Sequence, residues 1–112
     1  MHKFMLFIRE ELANVATQTE EELEMEIQEY VKWVEKLSES GNYLSGDPLE
    51  PDGVRLTQGA VVSDGPFIES KEAVTGYILL QAESMEHAIS LAKSCPVFTQ
   101  GGTLELRPIM KN

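Results

Sequence analysis

The chain has 112 residues, the usual length of one domain, and 42% of them are hydrophobic, so it can bury only a small core. Nine lysines and arginines against 19 aspartates and glutamates give a net charge of −10, which argues against nucleic acid or an anionic membrane as a partner. The single cysteine, Cys95, excludes an intrachain disulfide and fits a reducing compartment. Since the apolar residues 4–8 are too few for a leader peptide or a membrane span, we expect a cytoplasmic protein.

Residues 4–8 predict a first strand that is apolar on both faces. Phe4, Leu6 and Ile8 point one way, and Met5 and Phe7 point the other way. A strand with two apolar faces must be covered on both sides. Helices of the same chain can cover one side, and something else must cover the second.

A long helix is predicted over residues 20–40. Thr19 and Glu22 form a capping box at its start, and Gly41 supplies its stop. Its apolar stripe is Leu23, Ile27, Tyr30, Val31, Val34 and Leu37. Trp33 lies off this stripe. It is either a flanking residue of the stripe or a dimer contact. The acidic outer face is either a solvated surface or a docking patch for a basic partner.

The remaining elements complete a β-α-β-(hairpin)-β-α-β order. We expect a short strand at residues 42–45, turns at 46–48 and 51–53, and a hairpin of strands 54–56 and 60–62. A strand over 75–82, a helix that begins after Ser84 and a strand over 103–109 follow. With right-handed crossovers, this order predicts a ferredoxin-like α+β fold with two helices on one face of an antiparallel sheet.

The stretch after the hairpin concentrates turn residues and charge between two strands that we expect to be buried. Residues 63–66 form a turn, in which Asp64 bonds its own backbone, Gly65 permits positive φ and Pro66 fixes φ. Phe67 is an apolar anchor, and the polar residues 69–74 suit a short helical turn. Charged side chains then lie near strand ends, where sites tend to occur; they are Asp64, Glu69, Lys71 and Glu72.

The same stretch resembles the hallmark of the DGPF or YCII-related proteins. The resemblance rests on Asp64-Gly65-Pro66-Phe67, then Glu69, Lys71-Glu72 and Gly76-Tyr77. Segments 2–8, 41–51, 95–96 and 104–108 are also similar, so it covers nearly the whole of a single domain, residues 1–112. It implies a ferredoxin-like fold that dimerises into an α+β barrel. Most members have no assigned reaction, and many are encoded near sigma-factor genes.

The sheet face away from the helices is the predicted dimer surface and ligand cleft. It holds Met5, Phe7, Arg9, Tyr77, Leu79, Gln81, Glu105 and Arg107. Because it is too apolar for water, a second copy should cover it. Arg9 and Arg107 are candidates to clamp a small, partly anionic ligand. Phe7 and Tyr77 would be its walls, with Gln81 and Glu105 as further polar contacts.

Asp64 is the candidate general acid or base, and each candidate also has a purely structural explanation. Asp64 can cap its own turn, Glu105 and Arg107 can form an ion pair, and Glu69, Lys71 and Glu72 can form a solvated face. Some members of the wider superfamily carry a His–Asp pair, but this chain has no histidine at the end of its first helix or in the following loop. His87 should be exposed, and Cys95 should be a small apolar residue.

We expect no metal and no cofactor, because zinc signatures, phosphate loops, serine elbows and paired-carboxylate motifs are all missing from the sequence. Three functions stay open: a cofactor-free enzyme of hydrolase, lyase or isomerase type, a ligand-binding regulatory module, and an interaction protein that docks through its acidic helix.

Overall fold

A computed structural model describes residues 1–50, 52–63 and 72–111. Six strands and three α-helices occur in these ranges. In chain order they are β1 His2–Glu11, α1 Leu12–Thr17, α2 Glu20–Glu39, β2 Tyr43–Pro48, β3 Val54–Thr57, β4 Ala60–Ser63, β5 Glu72–Ala82, α3 Met85–Ala92 and β6 Thr103–Pro108, with a 3₁₀ helix, Pro96–Gln100, before β6. None of the helices in these ranges is long and apolar enough to cross a membrane.

Four strands form one antiparallel sheet in the order β2-β5-β1-β6. The first strand is central because it pairs with both β5 and β6. This order and the helices packed on one face are those of a ferredoxin-like α+β fold, so the predicted fold class is confirmed. The hairpin β3–β4 is inserted between β2 and β5 and forms a separate two-stranded sheet.

The core lies between this sheet and the helices. Strand alternation supplies it, since Phe4, Leu6 and Ile8 from β1 face the helices together with Ile78, Leu80 and Ala82 from β5. The helices contribute Trp33, Leu37, Ala88 and Ala92, and Cys95 and Val97 close one end. Cys95 is buried among these residues, as expected of a small apolar side chain.

The long helix begins and ends where predicted, but it buries a different side. Thr19 and Glu22 form both bonds of the capping box. Trp33 is only 5% exposed, and its indole N–H donates to the carbonyl oxygen of Leu91 at 3.3 Å and to Oγ of Ser94 at 3.0 Å. The predicted apolar stripe is wrong at three of its positions, because Leu23, Ile27 and Val31 are 47–53% exposed. The helix is rotated so that its aromatic residues pack inward and the indole N–H is satisfied.

Several local predictions are corrected by the sheet. The Gly46-Asp47-Pro48 segment lies within β2 rather than in a turn, because an edge strand tolerates a proline. Residues 72–74 belong to β5, where Glu72 pairs with Glu11, and not to a helical turn. The short helix α1 and the 3₁₀ helix were not predicted. His87 is half-buried, and its Nδ1 accepts a hydrogen bond from the backbone N–H of Glu83 at 3.1 Å.

The predicted hairpin is present, with Gly59 at φ 84° in its turn. The hairpin strand before residues 63–66 was expected to be buried. This expectation is wrong, since Val54, Leu56 and Val61 of the hairpin are 61–69% exposed. The hallmark residues Asp64, Gly65, Pro66, Phe67, Glu69 and Lys71 lie outside the described residues.

The buried Gly102 offers a test of core packing at the start of β6. A Cβ atom at this position would lie 2.3 Å from Cγ2 of Val97 and 2.8 Å from the carbonyl oxygen of Arg9. We therefore expect Gly102→Ala to lower the free energy of unfolding by about 1–3 kcal/mol in urea titrations. Gly53→Ala is the control, because no atom of the described residues lies within 4 Å of its new methyl group. Equal stability of the two variants would contradict the packing described here.

Candidate functional site

The sheet face away from the helices holds most of the predicted site residues. Phe7 on the central strand β1 lies opposite Tyr77 on β5. On the other neighbouring strand, β6, it lies opposite Glu105. Met5, Phe7, Tyr77 and Leu79 are partly exposed. The single chain therefore leaves an apolar, aromatic surface in the centre of its sheet.

Arg9 and Arg107 come together on this face through one carboxylate. Nη2 of Arg9 donates to Oε1 of Glu105 at 3.1 Å across the strand pair, and Nη1 of Arg107 donates to Oε2 at 3.3 Å. The predicted ion pair of Glu105 and Arg107 is thus present and includes Arg9 as well. Two guanidinium groups on one carboxylate leave one excess positive charge.

Two other residues predicted for the ligand site have protein partners. The Tyr77 hydroxyl donates to Oδ2 of Asp47 on the edge strand at 2.7 Å, and this hydrogen bond to a carboxylate raises the pKa of Tyr77. Nε2 of Gln81 donates to the carbonyl oxygen of Gly41 at 2.9 Å. Both side chains therefore fasten β2 and the turn before it to β5.

A second cluster, on the helix side of the sheet, was not predicted. Glu10 lies near the end of β1, in phase with Leu6 and Ile8, and its side chain hydrogen bonds to that of Glu26 on α2. Glu26 is only 7% exposed. Helical spacing could have indicated that Glu26 is buried, because position 26 is on the same side of the helix as Tyr30, Trp33 and Leu37.

This carboxyl pair, Glu10 with Glu26, holds a proton near neutral pH. Burial, the negative charge of Glu26 and the hydrogen bond between them raise the pKa of Glu10 from 4.5 to about 7, against a smaller opposing effect of a hydrogen bond with Thr75. Since two carboxylates this close repel, one member must be protonated when the pair is stable.

Tyr30 and Cys95 complete the surroundings of the carboxyl pair. Sγ of Cys95 lies 3.9 Å from the Tyr30 hydroxyl oxygen. Burial raises the pKa of Tyr30 above its ordinary value and raises the pKa of the Cys95 thiol to about 11. Both groups are therefore neutral at physiological pH, and Cys95 is not an activated nucleophile.

A surface cleft of about 490 Å³ adjoins the carboxyl pair between α1, α2 and the 3₁₀ helix. Its lining is polar and consists of Asn14, Thr17, Gln18, Glu22, Met25, Glu26, Glu29, Thr99 and Gln100. A smaller recess with Glu10 in its wall shares Asn14, Gln18 and Gln100 with the cleft. Glu26 thus borders a space large enough for a small ligand, whereas the recess at Glu10, about 10 Å³, has room for about one water molecule.

Fold and site together define a small ferredoxin-like α+β domain with a buried carboxyl pair beside a surface cleft. A family model, the YCII-related domain, matches residues 3–111. The chain therefore belongs to the YCII-related domain family, as its resemblance indicated. No curated protein matches it significantly.

The raised pKa of Glu10 predicts that stability falls as pH rises. The folded chain keeps a proton that the unfolded chain loses, so this contribution is complete below pH 4.5 and is lost as pH rises through about 7. We expect the melting temperature to decrease over this interval, and Glu10→Gln to remove most of the decrease.

Glu11→Gln is the matched control for this prediction, because Glu11 is an exposed neighbour on the same strand. It removes the same charge from the chain and should keep the wild-type pH dependence. Thermal melts across the interval measure all three proteins. A Glu10→Gln variant as pH-dependent as the wild type would show that the carboxyl pair does not hold the proton.

Proposed function

We propose that the chain is a cofactor-free enzyme that transfers protons to and from a small molecule, with Glu10 and Glu26 as the proton-carrying groups. The observation that supports this most is the buried carboxyl pair beside the cleft. A group whose pKa lies near the working pH both gives and takes a proton efficiently. Isomerase, lyase and hydrolase reactions of this kind need no further reagent than water.

The cleft favours a polar substrate without net negative charge. Three carboxylates line it, and no lysine, arginine or histidine is among its described lining residues. Amide side chains at positions 14, 18 and 100 offer both donors and acceptors for hydroxyl or amine groups. Asp64 of the family hallmark stays a second acid–base candidate in this proposal.

A metabolite screen by thermal shift tests the enzyme proposal, because a ligand at 100 times its dissociation constant stabilises the fold by about 2.7 kcal/mol. Turnover of each stabilising compound is then measured by product analysis. We expect Glu26→Gln to reduce turnover at least about 100-fold, since general acid–base groups contribute about 10²–10⁴-fold. Arg107→Ala should leave turnover unchanged, because Arg107 lies on the other face of the sheet. Full turnover in Glu26→Gln would exclude the carboxyl pair as the catalytic groups.

We also propose that the open sheet face is a homodimer interface and binds a small anion. Met5, Phe7 and Leu79 lie uncovered at its centre, which an aqueous surface disfavours. The excess positive charge of the Arg9–Glu105–Arg107 cluster is the supporting observation for an anion. The alternative function is a regulatory or protein-interaction module without turnover, which docks a partner through the acidic face of α2.

Phe7→Glu tests the homodimer. A glutamate in the centre of the apolar face would bury an uncompensated charge on association, so we expect a monomer in sedimentation experiments at concentrations where the wild type is a dimer. Met25→Glu is the control, because Met25 is 64% exposed on α2 and adds the same charge on the helix side. A wild-type chain that sediments as a monomer at micromolar concentration would refute the proposal.

A further inference from the structure

Gln18 connects α1, α2 and the 3₁₀ helix around the carboxyl pair. It directly follows α1 and precedes the capping residue of α2. Its Nε2 donates to Oε2 of Glu26 and lies 3.4 Å from Oε1 of Gln100. A carboxylate only accepts hydrogen bonds, so the amide nitrogen of Gln18, and not its oxygen, faces an ionised Glu26.

Gln18 shares its partner Gln100 with a second amide side chain, which lies on α1. Asn14, one helical turn earlier, donates from Nδ2 to the backbone carbonyl oxygen of Gln100 at 3.3 Å. Asn14 and Gln18 therefore both hold Gln100 at the end of the 3₁₀ helix. An amide that is held in this way keeps its donor directed at Glu26.

The two carboxyl groups consequently have different surroundings. Glu26 accepts a hydrogen bond from an amide, which stabilises the ionised form. Glu10 also has a hydrogen bond, with Thr75 of β5, but the effect of this bond is smaller than those of burial and of the negative charge of Glu26. Among the described residues, Tyr30 and Cys95 also interact with the pair and stay neutral, and Glu22 and Glu29 line the same cleft as Glu26.

We infer that Gln18 is a positioning residue that keeps Glu26 ionised and leaves the shared proton on Glu10. This inference rests on the proposed function and deepens it, because it assigns the two roles. Glu10 stores the shared proton, and Glu26, which lines the cleft, passes it to the substrate and receives the returning proton. After the transfer, the pair carries two negative charges, and the returning proton relieves their repulsion.

The test is a ¹³C NMR titration of the glutamate carboxyl carbons, which needs no substrate. In the wild-type protein, the larger change near pH 7 should occur at Glu10 rather than at Glu26. Gln18→Met preserves the length of the side chain and removes the donor. In this variant we expect the larger titration change to move from Glu10 to Glu26.

Thr17→Val is the matched control, since the Thr17 hydroxyl bonds only to the carbonyl oxygen of Ala13 among the described contacts. It should titrate as the wild type does. A folded Gln18→Met protein with an unchanged titration would overturn the assignment. If Gln18→Met does not fold, the titration of the wild-type protein is a sufficient test. A larger change at Glu26 than at Glu10 would then overturn the assignment of the proton to Glu10. A catalytically inactive chain with the expected titration would refute the proposed function and leave the role of Gln18 intact.

Discussion

The burial of Glu26 against Glu10 is the constraint on which the cleft end of this domain depends. A carboxylate taken out of water is costly unless donors or a shared proton compensate it. The fold supplies both, through the amide of Gln18 and the proton of Glu10. A pair of leucines at these positions would avoid this cost, and for this reason we place the proposed proton transfer at the carboxyl pair.

The sheet fold could be predicted from the sequence because its signals are local. Alternation in β1 and β5 and the capping box of α2 each specify an element without knowledge of its partners. The buried side of α2 could not be assigned in this way, because two apolar stripes lie next to each other on the helix. The stripe with Leu23 and Ile27 has no acid, whereas the stripe that is actually buried includes Glu26. Because Glu26 is charged, the sequence pattern disfavours the stripe of α2 that is actually buried. The pair of Glu10 and Glu26 was therefore not predicted.

The candidate site on the open sheet face was predicted better than the cleft. Strand alternation alone places Phe7, Arg9 and Arg107 on one face, and the antiparallel pairing of β1 with β6 brings both arginines to Glu105. The cleft instead needs α1 and the 3₁₀ helix, whose sequences carry no periodic apolar pattern. These short segments form because tertiary contacts, such as that of Asn14 with Gln100, compensate for weak local preference.

The central claim is that one proton is shared in a buried carboxyl pair that adjoins the cleft. Carboxyl ¹³C titration of the wild-type chain tests this most directly. Our account predicts that one glutamate, assigned to Glu10 or Glu26, titrates near pH 7. Ordinary titration of both Glu10 and Glu26 would contradict the account.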